Sequence, residues 1–393
     1  MSIALSDRIN RIKPSPTLAV TARAAELRAQ GRDVIGLGAG EPDFDTPEHI
    51  KAAAKAAMDA GQTKYTAVGG TVALKQAVIG KFSRDNGLDY SPEQILVSCG
   101  GKQSFFNMAQ ALLNSGDEVI IPAPYWVSYP DMVLVADGTP VVIETTQEAA
   151  FKITPEQLEA AITPKTRLLV LNSPSNPSGK AYSRAEFEAL AAVLRKHPDI
   201  LIATDDMYEA ILWTAEPFAN IVMAAPDLKD RTIVLHGVSK AYSMTGWRIG
   251  YAAGPAPLIK AMAKVQSQST SSPCAISQAA AVEALNASQD CVAEMVKAFR
   301  ERHDKVVAGL NALPGVDCLE SDGTFYAFPN FSGAMQALGC ATDVELGEKL
   351  LEEAEVALVP GSAFGTPGHM RLSFATSQEN LDKAIERLGR ALG

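Results

Sequence analysis

The chain has 393 residues, of which 47% are hydrophobic and 20% charged, a globular balance with enough length for two domains. Its formal net charge of −10 lacks the basic face that nucleic-acid binding requires, and no stretch approaches the ~20 apolar residues of a membrane span. The five cysteines, Cys99, Cys274, Cys291, Cys318 and Cys340, are odd in number and contain no Cys-x-x-Cys pair, so no disulfide framework or metal site is expected and a reducing cytoplasm fits best.

The chain opens with an acidic residue and several arginines before any apolar core of signal-peptide length, so export is not expected. Gly36-Leu37-Gly38-Ala39-Gly40 has Glu41 where a dinucleotide fingerprint needs its third glycine, and Pro42 follows in place of a helix. Apolar runs at residues 95–98, 118–122, 140–144, 167–172, 200–204, 232–236 and 249–253 read as seven strands. Helical patterns such as 184–196 separate them, which predicts an α/β domain with a mainly parallel seven-stranded sheet and helices on both faces. From about Cys291 a long helical pattern leads to strands at 325–329, 356–360 and 370–374 and a closing helix at 377–392, a smaller α+β unit. The expected division is a large domain of residues 46–290 and a small one of residues 1–45 plus 291–393.

Ligands of open α/β sheets bind beyond strand C-termini, so the residues there carry the chemistry. After the first strand, Cys99-Gly100-Gly101-Lys102-Gln103 opens a helix expected at 104–113 and offers bare N–H groups to an anion; Gln103 stands where a P-loop needs Ser or Thr. After the second, Trp126 could stack on a flat ring or fill the core. Asn176 lies between two prolines, as a donor to a ligand or as a plain turn residue. Asp205 and Asp206 follow the fifth strand with Tyr208; a buried carboxylate there would keep a pyridine nitrogen protonated, and Asp205 is the first choice. A helix cap and packing are the alternative for this pair. Residues 237–250 set Lys240 and Arg248 among the small residues Gly237, Ser239 and Gly246. A desolvated lysine can condense with an aldehyde, and an arginine fork can grip a phosphate, as pyridoxal 5′-phosphate requires.

Taken in order, residues 38–47 (Gly-Ala-Gly-Glu-Pro-Asp-Phe-Asp-Thr-Pro), Lys64-Tyr65-Thr66, Gly-Gly-Lys-Gln, Pro-Tyr-Trp-Val-Ser-Tyr, Asn-Ser-Pro-Ser-Asn-Pro-Ser-Gly, Asp-Asp-Met-Tyr-Glu, Gly-Val-Ser-Lys-Ala-Tyr and Met-Arg-Leu-Ser-Phe-Ala-Thr (370–376) resemble a fold-type I, class I aminotransferase over nearly the whole chain. The resemblance is strongest to bacterial aspartate aminotransferases, some of which accept prephenate. It implies pyridoxal phosphate joined to Lys240, Asp205 at the ring nitrogen, Tyr208 and Asn176 at the ring oxygen, and Trp126 over the ring. It further implies Gly101, Lys102 and Arg248 at the phosphate, and Gly40, Asn176 and Arg371 on the substrate α-carboxylate. Tyr65 would reach the phosphate of a second copy, making a homodimer with shared sites. Many relatives carry a hydroxyl where this chain has Gly237. No distal arginine is assigned to the second carboxylate of aspartate; the resemblance points to Lys102, with Ser or Thr from 269–272, and associates Lys13 with prephenate. The implied reaction passes the amino group of L-aspartate to 2-oxoglutarate by a ping-pong route. Alternatives are β-elimination, an aromatic or prephenate aminotransferase, and, from another class, a pyridoxal-phosphate-sensing DNA-binding regulator, which would need a basic reader domain.

Overall fold

The apolar runs in the middle of the chain form strands because β-branched and aliphatic residues alternate between two buried faces. A computed structural model describes residues 3–393. β1 is Ile35–Gly36; then β2 (Ile95–Ser98), β3 (Glu118–Pro122), β4 (Thr139–Ile143), β5 (Thr166–Asn172), β6 (Leu201–Asp205), β7 (Thr232–Gly237) and β8 (Gly250–Ala253) build one seven-stranded sheet in the order β2-β8-β7-β6-β5-β3-β4. Only β8 runs antiparallel to its neighbours; the other pairings are parallel, as the sequence predicts. Val97, Ile120, Leu169, Leu171, Ile202 and Val234 join one core cluster with residues of the helices Val72–Lys81, Arg184–Leu194 and Ala275–Asn286. Their chain neighbours Leu96, Val119, Ile121, Leu168, Val170, Ala203 and Ile233 point the other way, onto Gly101–Leu112, Ser128–Val135 and Ala256–Ser267. Two-sided coverage follows from that period of two.

The remaining strands are β9 (Tyr326–Ala327), β10 (Val356–Ala357), β11 (Val359–Pro360) and β12 (Met370–Ser373). β11, β12 and β9 make an antiparallel sheet, over a core in which Phe299, Val306 and Leu310 of Asp290–Asn311 meet Leu381, Ala384 and Leu388 of Gln378–Leu392. The single strand expected at 356–360 is two strands. β10 pairs with β1, the chain changes partner at buried Leu358, and β11 pairs with β12. β1 itself escapes sequence reading because two residues inside a glycine-rich run show no periodicity.

The first helix after β2 starts at Gly101, not at 104, which puts Gly101 and Lys102 in its first turn. Gly250 makes room for that turn: a Cβ there would collide with the backbone of Gly100 and Gly101, and β8 pairs it with both Ser98 and Gly237. Gly250→Val is therefore expected to destabilise the protein by about 1–3 kcal/mol through overpacking. A urea unfolding midpoint equal to that of the parent would contradict this.

Candidate active site

A cavity of about 440 Å³ opens at the C-terminal edge of the large sheet, where β9 and β12 face it. Lys240 enters it from the turn after β7, and its Nζ donates to the carbonyl of Gly40 at 2.5 Å. Burial, and then the positive charge of Arg371, lower the Lys240 pKa to about 8.

Opposite stands Asp205 at the end of β6, accepting from the Tyr129 hydroxyl at 2.5 Å and from the Met207 N–H at 3.3 Å. Burial pushes its carboxyl upward, while Tyr129 pulls it down. Its neighbour Asp206 points away, bound by Thr204 and Asn220, and burial raises it to about 7. The first choice between the two acids thus lies in the cavity and the second outside it. Tyr208 shares a 2.9 Å hydrogen bond with Tyr326, and burial raises its phenol well above the ordinary range.

Arg371, on β12, is 2% exposed. It donates to Asn176 Oδ1 at 2.9 Å and to the Gly38 carbonyl at 2.7 Å, and its guanidinium lies 4.5 Å from the Tyr326 ring centroid. Its Nε has no partner, and among the described residues no carboxylate pairs with it. A buried cation with a spare donor is costly unless an anion completes it. Gly40 leaves the approach open, since a Cβ there would press on the Tyr326 hydroxyl.

At the other end, Arg248 adopts the left-handed conformation (φ 55°) and donates to the Thr245 and Cys99 carbonyls. Gly100 (φ 90°) passes against that guanidinium, a position that a side chain would block. The first turn at Gly101 and Lys102 presents its N–H groups here. Lys102 Nζ sits 5.0 Å over the Trp126 ring, and burial, then Arg248, lower its pKa.

Gly40, Gly101, Lys102, Trp126, Asn176, Asp205, Tyr208, Lys240, Arg248 and Arg371 all line this one cavity. Two candidates do not. Lys13 lines a neighbouring, mainly apolar cavity of about 660 Å³ with Arg11 and Tyr125, and Tyr65 is 94% exposed outside both. Of residues 269–272, Thr270 binds Gln103 and none lines the cavity. Sequence reading missed Tyr129 and Tyr326, and named Ser239 only as a small residue beside Lys240. Tyr129, three residues beyond Trp126 in the first turn of the helix Ser128–Val135, meets the indole edge-on at 5.3 Å and could have been found; Tyr326 arrives from a distant strand without a local signal. Ser239 supplies a hydroxyl to a cavity in which Gly237 has none. Phosphate donors at one end, a carboxylate across from an amine, and an incomplete guanidinium together fit pyridoxal phosphate and an amino acid carboxylate.

A profile described as "Aminotransferase class I and II" matches residues 32–388. The chain is 61% identical over 394 residues to the aspartate/prephenate aminotransferase of Nitrosomonas europaea, covering 99% of each. It is 50% identical over 386 residues to the aspartate aminotransferase of Geobacillus stearothermophilus, covering 98% of each. Among solved structures it superposes on the aspartate aminotransferase from Rhizobium meliloti with a TM-score of 0.96 at 50% identity, over 100% of this chain and 99% of that one. It also superposes on the Thermus thermophilus aspartate aminotransferase with maleate, with a TM-score of 0.93 at 46% identity, over 99% and 100%.

Because the Lys240 pKa falls from 10.5 to about 8 on folding, the unfolded chain binds more protons between those values. Burial of the amine thus costs stability below pH 8, and the cost is relieved as pH rises toward 10.5. In cofactor-free protein, Lys240→Met is expected to raise stability at pH 7, by up to about 3 kcal/mol, with the gain shrinking toward pH 10.5. Equal melting temperatures at pH 7 would contradict it.

Proposed function

The chain belongs to the aminotransferase class I and II family, and from that premise we propose that it passes the amino group of L-aspartate to 2-oxoglutarate, giving oxaloacetate and L-glutamate, with pyridoxal 5′-phosphate as cofactor. The observation that carries the reading is Arg371, a buried guanidinium with an unpartnered donor that lines the same cavity as a lysine of lowered pKa.

The Gly101 and Lys102 N–H groups, Arg248 and Ser239 would hold the phosphate, Trp126 would stack on the ring, and Tyr208 and Asn176 would donate to its oxygen. Asp205 would hold a proton on the ring nitrogen. When bound, pyridoxal phosphate supplies an aldehyde and an electron-poor ring that accepts the electron pair left when the donor Cα loses its proton. Arg371 grips the α-carboxylate with its fork, and Asn176 and Gly40 complete that subsite. The Lys240 amine, uncharged for part of the time near neutral pH, would take the Cα proton and carry it on Nζ as the conjugate acid for the return transfer. In the cofactor-free chain the Gly40 carbonyl accepts from Nζ and holds the amine in the cavity. Lys102, whose ammonium lies over Trp126, would meet the distal carboxylate. Two half-reactions through one site give ping-pong kinetics.

Prephenate as an amino acceptor is a second reading, favoured by the adjoining cavity of about 660 Å³ that Lys13 lines beside the site. Comparing kcat/KM for 2-oxoglutarate and prephenate with aspartate as donor separates the two. We propose further that residues 46–290 act as the large cofactor-binding domain and residues 1–45 plus 291–393 as the small one. Two copies would pair so that the exposed Tyr65 of each reaches the phosphate end of the other. The setting would be cytoplasmic; no helix among the described residues is long and apolar enough to cross a membrane.

Lys240→Ala is expected to lower aspartate transamination by about 10⁴-fold, since it removes the acid and base together. Full turnover in that variant would contradict the role. Arg371→Lys is expected to lower kcat/KM for aspartate by about 10²-fold, because an ammonium cannot reproduce the bidentate fork. An unchanged kcat/KM would remove Arg371 from the carboxylate subsite.

A further inference from the structure

Behind the cavity lies a buried polar cluster that the chemistry above does not use. Glu209, next in chain to Tyr208, accepts from Lys81 Nζ at 2.6 Å and Asn86 Nδ2 at 3.2 Å on one oxygen, and pairs with His236 Nε2 at 3.1 Å on the other. Lys81 also donates to Asn86 Oδ1 at 2.7 Å, and all four residues are buried. His236 Nδ1 lies 2.7 Å from the Gly237 nitrogen and 3.1 Å from the Gly237 carbonyl oxygen; with the shorter contact made by the N–H donating to Nδ1, the ring proton is on Nε2, facing Glu209. The His236 ring lies flat on Tyr251, at 5.3 Å and 9°.

Burying such an ion pair is an inefficient way to stabilise a core, because well-packed apolar side chains do as well or better. The backbone shows what else it does. The β6–β7 ladder ends at Asp205 and Leu235, with one last bond from the Asp206 N–H to the Leu235 carbonyl. Beyond that point the chains lead to Tyr208 on one side and Lys240 on the other, and the Glu209–His236 hydrogen bond is the side-chain link between them.

We propose that Glu209 is a positioning residue that, through His236, fixes the separation of Asp205 and Lys240 across the cofactor site. The inference rests on the function proposed above. With the link broken, Asp205 holds the ring nitrogen less firmly, the ring withdraws fewer electrons, and the nitrogen that Lys240 contributes binds its proton more tightly. The groups facing Lys240 are Arg371, Glu41, Arg248 and Asp205; those facing Asp205 are Tyr129, His236 and Lys240. Those around Glu209 are Lys81, His236, the nearby Asp206 and the phenols of Tyr242 and Tyr251, with Asp85 3.9 Å from Lys81.

Two double variants that both abolish the ion pair isolate the link. Lys81→Met/Glu209→Leu removes the acceptor for His236, whereas Lys81→Met/Glu209→Gln keeps one as a neutral amide. In the cofactor-loaded enzymes the pH titration of the visible absorption band is followed, with kcat and KM for aspartate. The Leu variant is expected to titrate higher by about half a pH unit or more and to lose about 10-fold in kcat with KM within about twofold. The Gln variant is expected to stay near the parent in both. If both titrate as the parent does, or both shift equally, the proposal is overturned. Should the Leu variant not fold, His236→Phe keeps the stack on Tyr251 and removes the same link; a parental midpoint there overturns it equally. A parent protein that shows no visible band with added cofactor would instead defeat the proposed function itself.

Discussion

The hydrogen bond from Lys240 Nζ to the Gly40 carbonyl ties the end of β7 to the segment after β1, and most of the site is arranged around the desolvation it reflects. A lysine amine in that position lies among Arg371 and Arg248, with Asp205 across the cavity and Glu41 nearby. The chain as a whole carries a net charge of −10, yet the cavity gathers cations. Attraction for phosphate and carboxylate is therefore local, built from side chains and a helix terminus, with the rest of the surface contributing an opposing field.

A second constraint follows from the first. The cavity walls come from both sheet systems, so the site exists only where they meet. Arg371 crosses the gap to Asn176, and Tyr326 crosses it to Tyr208. Arg371 and the Tyr208 phenol are thus joined through one aromatic ring, with Arg371 over the Tyr326 face. Small residues leave room for these side chains: Gly40 beneath the Tyr326 hydroxyl that makes the crossing, and Gly100 beneath the Arg248 guanidinium at the other end of the cavity. An added methyl at either would enter space that those groups occupy.

The large sheet was legible because its buried strands are unbroken apolar runs, and helical patterns between them fix parallel pairing. Lys240, Asp205 and Asn176 were legible as candidates for the same reason: each lies at the C-terminal end of a readable strand or in the turn after it, where ligands collect. The β1 pairing and the break at Leu358 were not, because β1 and β10 lie more than 300 residues apart in chain and β1, β10 and β11 are runs of two residues. Tyr326 and the Glu209–His236 pair were hidden too: each acts through contact with a distant element, and neither sits in a pattern that the local chain reveals. The expected start of the helix after β2 erred by three residues because Gly101 and Lys102 are poor apolar markers, although their N–H groups make the first turn.

Reduction of the pyridoxal-phosphate-loaded protein with borohydride, followed by peptide mapping, tests the central claim most directly. The account predicts one stable pyridoxyl adduct, on the peptide that carries Lys240. An adduct confined to Lys102 or another lysine, or no adduct in protein saturated with the cofactor, would contradict it.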